Sequence, residues 1–79
     1  MDVRVKIGLR IKELRKGEGL TQEALSFKAE LDKTYVNEVE NGKRNISVVN
    51  LEKIIHALGT DMYHFFEAES FLGVKIIND

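Results

Sequence analysis

The 79-residue chain contains no cysteine, no proline and no tryptophan, and only two histidines. Without cysteine it has neither a disulfide framework nor a thiolate metal site, and His56 and His64 are too few for a zinc site built on histidine alone. No cofactor or metal is implied. The apolar runs are short, and no basic N-terminal stretch leads into an apolar one, so a cytoplasmic domain is expected, with neither a transmembrane span nor a secretory signal. Also missing are a nucleophile–base constellation, a glycine-rich phosphate loop and a metal cluster, so an enzyme is not expected. Net charge is close to absent as well: 12 Lys and Arg against 13 Asp and Glu leave −1. Taken as a total, that opposes a nucleic-acid partner, because sequence-independent affinity for phosphate comes from Lys and Arg.

The total conceals a polarity. Residues 1–44 carry ten basic side chains (Arg4, Lys6, Arg10, Lys12, Arg15, Lys16, Lys28, Lys33, Lys43, Arg44) against eight acidic ones, whereas residues 45–79 carry two against five. The first half is suited to meeting an anion and the second is not. A domain this small buries only about 60% of its unfolded surface. Its 43% hydrophobic content must therefore be spent on regular, well-capped elements, or be supplemented by a second copy of the chain.

The elements read as helices. Ile7, Ile11 and Leu14 recur at helical spacing until Gly17 and Gly19, giving a first helix over about 3–17. Thr21 is an N-cap for a two-turn second helix whose inner face is Leu25 and Ala29. Asp32 caps a third, about 33–41, with Val36 and Val39 on one side and Gly42 at its end. Ser47 caps a fourth carrying Leu51, Ile54, Ile55 and Leu58, closed by Gly59. Thr60 is the candidate cap of a fifth with Met62, Phe65 and Phe66. Ser70 and Gly73 then interrupt an apolar tail, Phe71 to Asp79, open to reading as a short strand, an ordered extension or a frayed end. The expectation is a compact all-α five-helix domain over residues 1–69 with a C-terminal extension over 70–79.

Counted from Gln22, apolar residues fall at the fourth, eighth, tenth, fifteenth and eighteenth positions (Leu25, Ala29, Leu31, Val36, Val39), as two short helices crossing steeply over a shared core require. This resembles the helix-turn-helix of the lambda-repressor-like (XRE or Cro type) DNA-binding family over roughly residues 4–68. LTQEAL opens the second helix, and YVNEVENGKRNIS runs from the third into the loop. Two positions depart from the family pattern: Ser26 where alanine is usual, and Glu30 at the turn where glycine is usual, the latter costly if its φ is positive. Within the family, Leu31-Asp32-Lys33-Thr34-Tyr35 followed by Glu40-Asn41-Gly42-Lys43-Arg44-Asn45 is similar to the controller proteins of restriction-modification systems.

With Val36 and Val39 turned inward, Lys33, Thr34 and Asn37 face outward on a recognition helix, flanked by Tyr35 and Glu38. In a major groove Lys33 can donate to guanine O6 or N7, Asn37 can pair with adenine, Thr34 can meet a base or the thymine methyl, and Tyr35 beside them is a further candidate for base contact. The resemblance implies that Arg44 reaches bases or the adjacent backbone, and that Gln22 clamps the backbone. Thr21, at the same helix N-terminus, and Lys43, Asn45 and Ser47 are further candidates for phosphate contact. It also implies a structural ion pair between Arg15 and Glu40.

One helix reads few bases, so a two-fold homodimer on an inverted-repeat, double-stranded operator is expected. Ile55, Met62, Phe65 and Phe66 are expected to divide between the core and that dimer interface. The function that the resemblance implies is a sequence-specific transcriptional regulator, a controller protein that adjusts its own gene and a linked endonuclease, with RNA polymerase as a further partner. A phage-type repressor or antitoxin of the same fold, and a protein-interaction domain without DNA binding, are the alternatives.

Overall fold

A helix leaves its first N–H groups without partners, and an oxygen-bearing side chain just ahead of it supplies the missing acceptors. In the computed structural model, which describes residues 2–72, that requirement sets five helix starts. Asp2 caps α1 (Val3–Gly17), Thr21 caps α2 (Gln22–Ala29), Asp32 caps α3 (Lys33–Glu40), Ser47 caps α4 (Val48–Ala57) and Asp61 caps α5 (Met62–Phe66). The last corrects the expectation of Thr60. The Asp61 carboxylate accepts the His64 backbone N–H at 2.8 Å, and a charged acceptor suits the positive end of a helix better than a hydroxyl does. That N–H, followed by the His64 ring, holds the Asp61 carboxyl below its ordinary range. At α1 the Arg4 guanidinium, with the Arg4 backbone N–H, pulls the Asp2 carboxyl down to about 2.

After the five helices comes a four-residue turn, α6 (Glu69–Leu72). The division expected between residues 69 and 70 falls inside it, and Phe71, read as the first residue of the tail, is helical and packs against the core. The rest of that tail, residues 73–79, lies outside the described residues. Among the described residues there is no strand, and no helix is long and apolar enough to cross a membrane.

The inward positions read from the spacing meet in one cluster: Ile11 from α1, Leu25 and Ala29 from α2, Val36 and Val39 from α3, Leu51, Ile54 and Ile55 from α4, Leu58 just after it, and Phe65 from α5. Here α1 packs on α3, α2 lies against both α3 and α4, and α4 meets α5. Ile55 and Phe65 are 1% and 0% exposed. Of the four residues expected to divide between core and dimer interface, these two therefore fall to the core and not to the interface, because a side chain already sealed inside its own chain has no surface left for a partner. Met62 and Phe66 remain accessible, at 40% and 37%. A five-residue helix has little stability of its own, and α5 is anchored by Phe65 and by Arg10 reaching across from α1. The Arg10 Nε donates to the Phe65 carbonyl at 2.6 Å and Nη2 to the His64 carbonyl at 2.7 Å, satisfying oxygens that a helix end leaves open.

The close contact of α1 with α3 depends on Gly8. A Cβ there would stand 2.5 Å from the carbonyl oxygens of both Val39 and Glu40, so α1 passes α3 backbone to backbone. Gly42, with φ +73°, continues the same approach: a Cβ on it would lie 2.9 Å from Val5 Cγ2. Gly8→Ala is therefore expected to destabilise the domain by about 1–3 kcal/mol through forced separation of the two helices. Gly17→Ala, whose added methyl meets nothing within 4 Å, is expected to stabilise by about 0.5–1 kcal/mol from reduced chain entropy. Urea denaturation of the two variants checks the pair, and equal midpoints would contradict the close approach.

Candidate nucleic-acid interface

Local hydrogen bonds shape the α2–turn–α3 unit. α2 ends at Glu30, which adopts φ 59° and ψ 44°; among the described residues it is the one non-glycine with positive φ. That left-handed conformation costs roughly 1 kcal/mol relative to glycine. It is enforced by two backbone bonds that close the turn, Glu30 N–H to the Phe27 carbonyl at 3.2 Å and Leu31 N–H to the Ser26 carbonyl at 2.9 Å. Ser26, 5% exposed, sits where the helices meet and returns its hydroxyl to the Glu23 carbonyl at 2.8 Å, so no buried donor is orphaned. Asp32 then starts α3 by accepting from the N–H groups of Thr34 and Tyr35.

Burial of Val36 and Val39 fixes the rotation of α3. Lys33, Thr34 and Asn37 are consequently exposed, while Tyr35 and Glu38 are half-buried at the flanks. Tyr35 leans on the core, and its hydroxyl accepts from Asn50 Nδ2 at 3.2 Å. Arg44, in the loop after α3, crosses the Tyr35 ring with Cζ 4.7 Å from its centroid and donates Nη1 to Glu38 Oε1 at 2.6 Å. Lys43 and Asn45 are exposed in the same loop. Thr21 and Ser47 spend their hydroxyls as caps, accepting from the N–H groups of Ala24 and Asn50 at 3.0 and 3.1 Å.

Beneath this face lies a buried charge. The Glu40 side chain has no exposed surface and accepts a two-pronged bond from Arg15, with Nε to Oε2 at 2.7 Å and Nη2 to Oε1 at 3.0 Å. The remaining Arg15 nitrogen, Nη1, donates to the Leu20 carbonyl at 2.9 Å. Gln22 adds a third donor to the carboxylate, Nε2 to Oε1 at 3.0 Å. An ionised carboxylate only accepts, so it dictates the order of donors and acceptors outward. The Gln22 amide nitrogen must face Glu40, its oxygen accepts from Asn37 Nδ2 at 3.0 Å, and Asn37 Oδ1 is left for Asn41 Nδ2 at 3.4 Å. The chain of bonds runs from a buried ion pair to an exposed amide on α3.

Gln22 thus lies between the ion pair and Asn37 as well as at the α2 N-terminus, a link that no sequence pattern signals. Asn50, Asn41 and Gly8 are likewise absent from the residues that spacing picks out. A hydrogen bond between residues 15 positions apart leaves no periodic trace, and only the crossing of α2 and α3 creates it. Among the described residues no cluster of His, Asp or Glu is arranged to hold a metal ion.

Arg15→Met would leave the Glu40 carboxylate buried without its main partner, and is expected to cost about 3–5 kcal/mol in urea denaturation. Glu40→Leu should cost less, because the Arg15 side chain, 11% exposed, can still reach water. The double variant should recover most of the single Arg15 loss, and simple additivity would contradict the coupling.

Comparison with known proteins places this geometry. The sequence pattern of the helix-turn-helix family matches residues 11–65. Control protein C.MunI from Mycoplasma sp is 44% identical over 66 residues, which span 82% of this chain and 89% of the relative. The crystal structure of the restriction-modification controller protein C.AhdI from Aeromonas hydrophila is similar with a TM-score of 0.77 and 46% identity, over 80% of this chain and 96% of that one. A C.Esp1396I controller tetramer in complex with its natural 35 base-pair operator gives a TM-score of 0.81 at 36% identity, over 85% and 88%.

Proposed function

This chain belongs to the helix-turn-helix family, among whose members it is similar to restriction-modification controller proteins, and on that premise we propose that it is a cytoplasmic, sequence-specific transcriptional regulator binding an inverted-repeat operator as a homodimer. The observation that carries the reading is the presentation of α3: apolar residues, a buried ion pair and a glycine-tight helix contact fix its inner side, while Lys33, Thr34 and Asn37 are exposed on its outer side, Asn37 oriented by Gln22. The role is regulatory rather than catalytic. As a controller it adjusts its own gene and that of a linked endonuclease, with activation supplied by a contact to RNA polymerase.

In this reading α3 enters the major groove. Lys33 donates to guanine, Thr34 meets a base edge or a thymine methyl, Asn37 pairs with adenine, and Arg44 reaches a base from the loop over the Tyr35 ring. The N-termini of α2 and α4, with Thr21, Gln22 and Ser47, face phosphates, and Lys43 and Asn45 grip the strand between them. Gln22 couples the two tasks, since one amide bonds both the buried carboxylate and Asn37. For the second copy, Met62 and Phe66, with the 72%-exposed Tyr63, supply an apolar face on α5, and Ile55 and Phe65 support it from within the core.

Duplexes selected from a random-sequence pool by the wild-type protein provide the test. In gel shifts the wild type is expected to retard the selected duplex as a complex of two chains. Lys33→Ala and Arg44→Ala are each expected to lose about tenfold or more in affinity for it, in line with the loss of a base contact. Both variants binding as tightly as wild type would overturn the assignment of the reading face.

A further inference from the structure

The loop arginine is not a free cation. Its Nη1 is tied to Glu38 at 2.6 Å and its Cζ lies 4.7 Å from the centroid of the Tyr35 ring, which is itself held by Asn50. The two contacts restrain different things. The ring holds the guanidinium centre over its face through the attraction of a cation for a π system, and the carboxylate fixes the direction in which Nη1 points. One corner of a five-donor fork is thereby spent. The Nε–Nη2 edge carries no intramolecular bond among those of the described residues, and that edge has the spacing for guanine O6 and N7.

We propose that Glu38 is a specificity-determining positioning residue, which holds Arg44 ready for guanine and penalises its use on phosphate. This rests on the DNA-binding reading above. A base contact through the free edge leaves the Glu38 bond intact, so little side-chain freedom remains to be lost when the operator binds. The free edge could also meet a phosphate, but one lying away from the groove is reached only by swinging Arg44 off Glu38, which exposes a carboxylate to the polyanion. Glu38 therefore acts in opposite directions on the two kinds of DNA. It strengthens binding where a guanine is within reach and weakens binding everywhere else. For a reading half with a small excess of positive charge, suppression of non-specific binding is a direct route to discrimination.

Glu38→Gln keeps the shape and removes the charge. With fluorescence anisotropy, the duplex selected by the wild-type protein should bind Glu38→Gln roughly three- to tenfold more weakly, as expected for lost preorganisation of one long side chain, while a scrambled duplex of the same composition should bind as tightly or more tightly. In an Arg44→Ala background the same change should leave affinity for the selected duplex unaltered. Equal or tighter binding of the selected duplex by Glu38→Gln overturns the proposal. So does an undiminished loss in the Arg44→Ala background, which would make Glu38 itself a base contact, to a cytosine amine.

The free protein provides a readout independent of DNA. In wild type the Arg44 side-chain Nε–H should be motionally restricted by NMR relaxation, and in Glu38→Gln it should be released. If the wild type selects no duplex, the DNA-binding reading fails and the proposal, resting on it, falls too. If it selects one but Arg44 is unrestricted, the proposal alone falls.

Discussion

The Glu40 carboxylate is sealed from water, and a buried charge of this kind persists only if donors surround it. Arg15 from α1 and Gln22 from α2 supply them, so three helices must converge on one side chain. Gly8 permits the convergence, because α1 reaches α3 closely only where no Cβ intervenes. The arrangement is restrictive in two respects. It fixes where α3 lies relative to the rest of the domain, and it orders the amides of Gln22 and Asn37 in a set direction. The net energy of the ion pair itself is small, since desolvation offsets attraction. Its consequence is conformational: alternative positions of α3 would strand a charge.

The opposite end of the molecule follows a different logic. The α5 helix is too short to hold itself, and Arg10 and Phe65 attach it to the core. Met62, Tyr63 and Phe66 keep an apolar patch on its outer side, beside the exposed His64. The basic excess lies in the half with the helix-turn-helix, and the acidic excess lies in the half with α5. In the proposed function, one face meets DNA and the other meets a second chain. A domain of this size then needs few base contacts of its own, because two copies share the work.

Particular residues show how much of this is legible in the sequence. Thr21, Asp32 and Ser47 are recognisable as helix caps because capping is local chemistry, and the core face of each helix follows from its spacing. Thr60 and Asp61 can both cap, and only the backbone conformation decides in favour of the second. Gly8 looks like an ordinary helical residue, for its importance lies in a neighbour more than 30 positions away. Arg10 is invisible for the same reason, its carbonyl partners lying on Phe65 and His64, whereas the Glu38–Arg44 pair is hidden because it joins α3 to the loop after it, off any helical spacing. How Ile55, Met62, Phe65 and Phe66 divide between core and outer surface is not legible, because hydrophobicity distinguishes apolar from polar and does not distinguish core from interface. For the proposed reading face, the exposure of Lys33, Thr34 and Asn37 follows from helix rotation alone, whereas Gln22 as a link and Tyr35 as a support for Arg44 require the crossing of α2, α3 and the loop.

If α3, locked from behind, presents its outer side to a DNA groove, backbone amide shifts recorded while a selected duplex is titrated into the labelled protein will show it most directly. The largest changes are expected at residues 21–22, 33–38 and 43–48, with little change in the amides of α5 once the dimer is formed. Changes centred on α5, or spread evenly over the domain, would contradict that placement of α3.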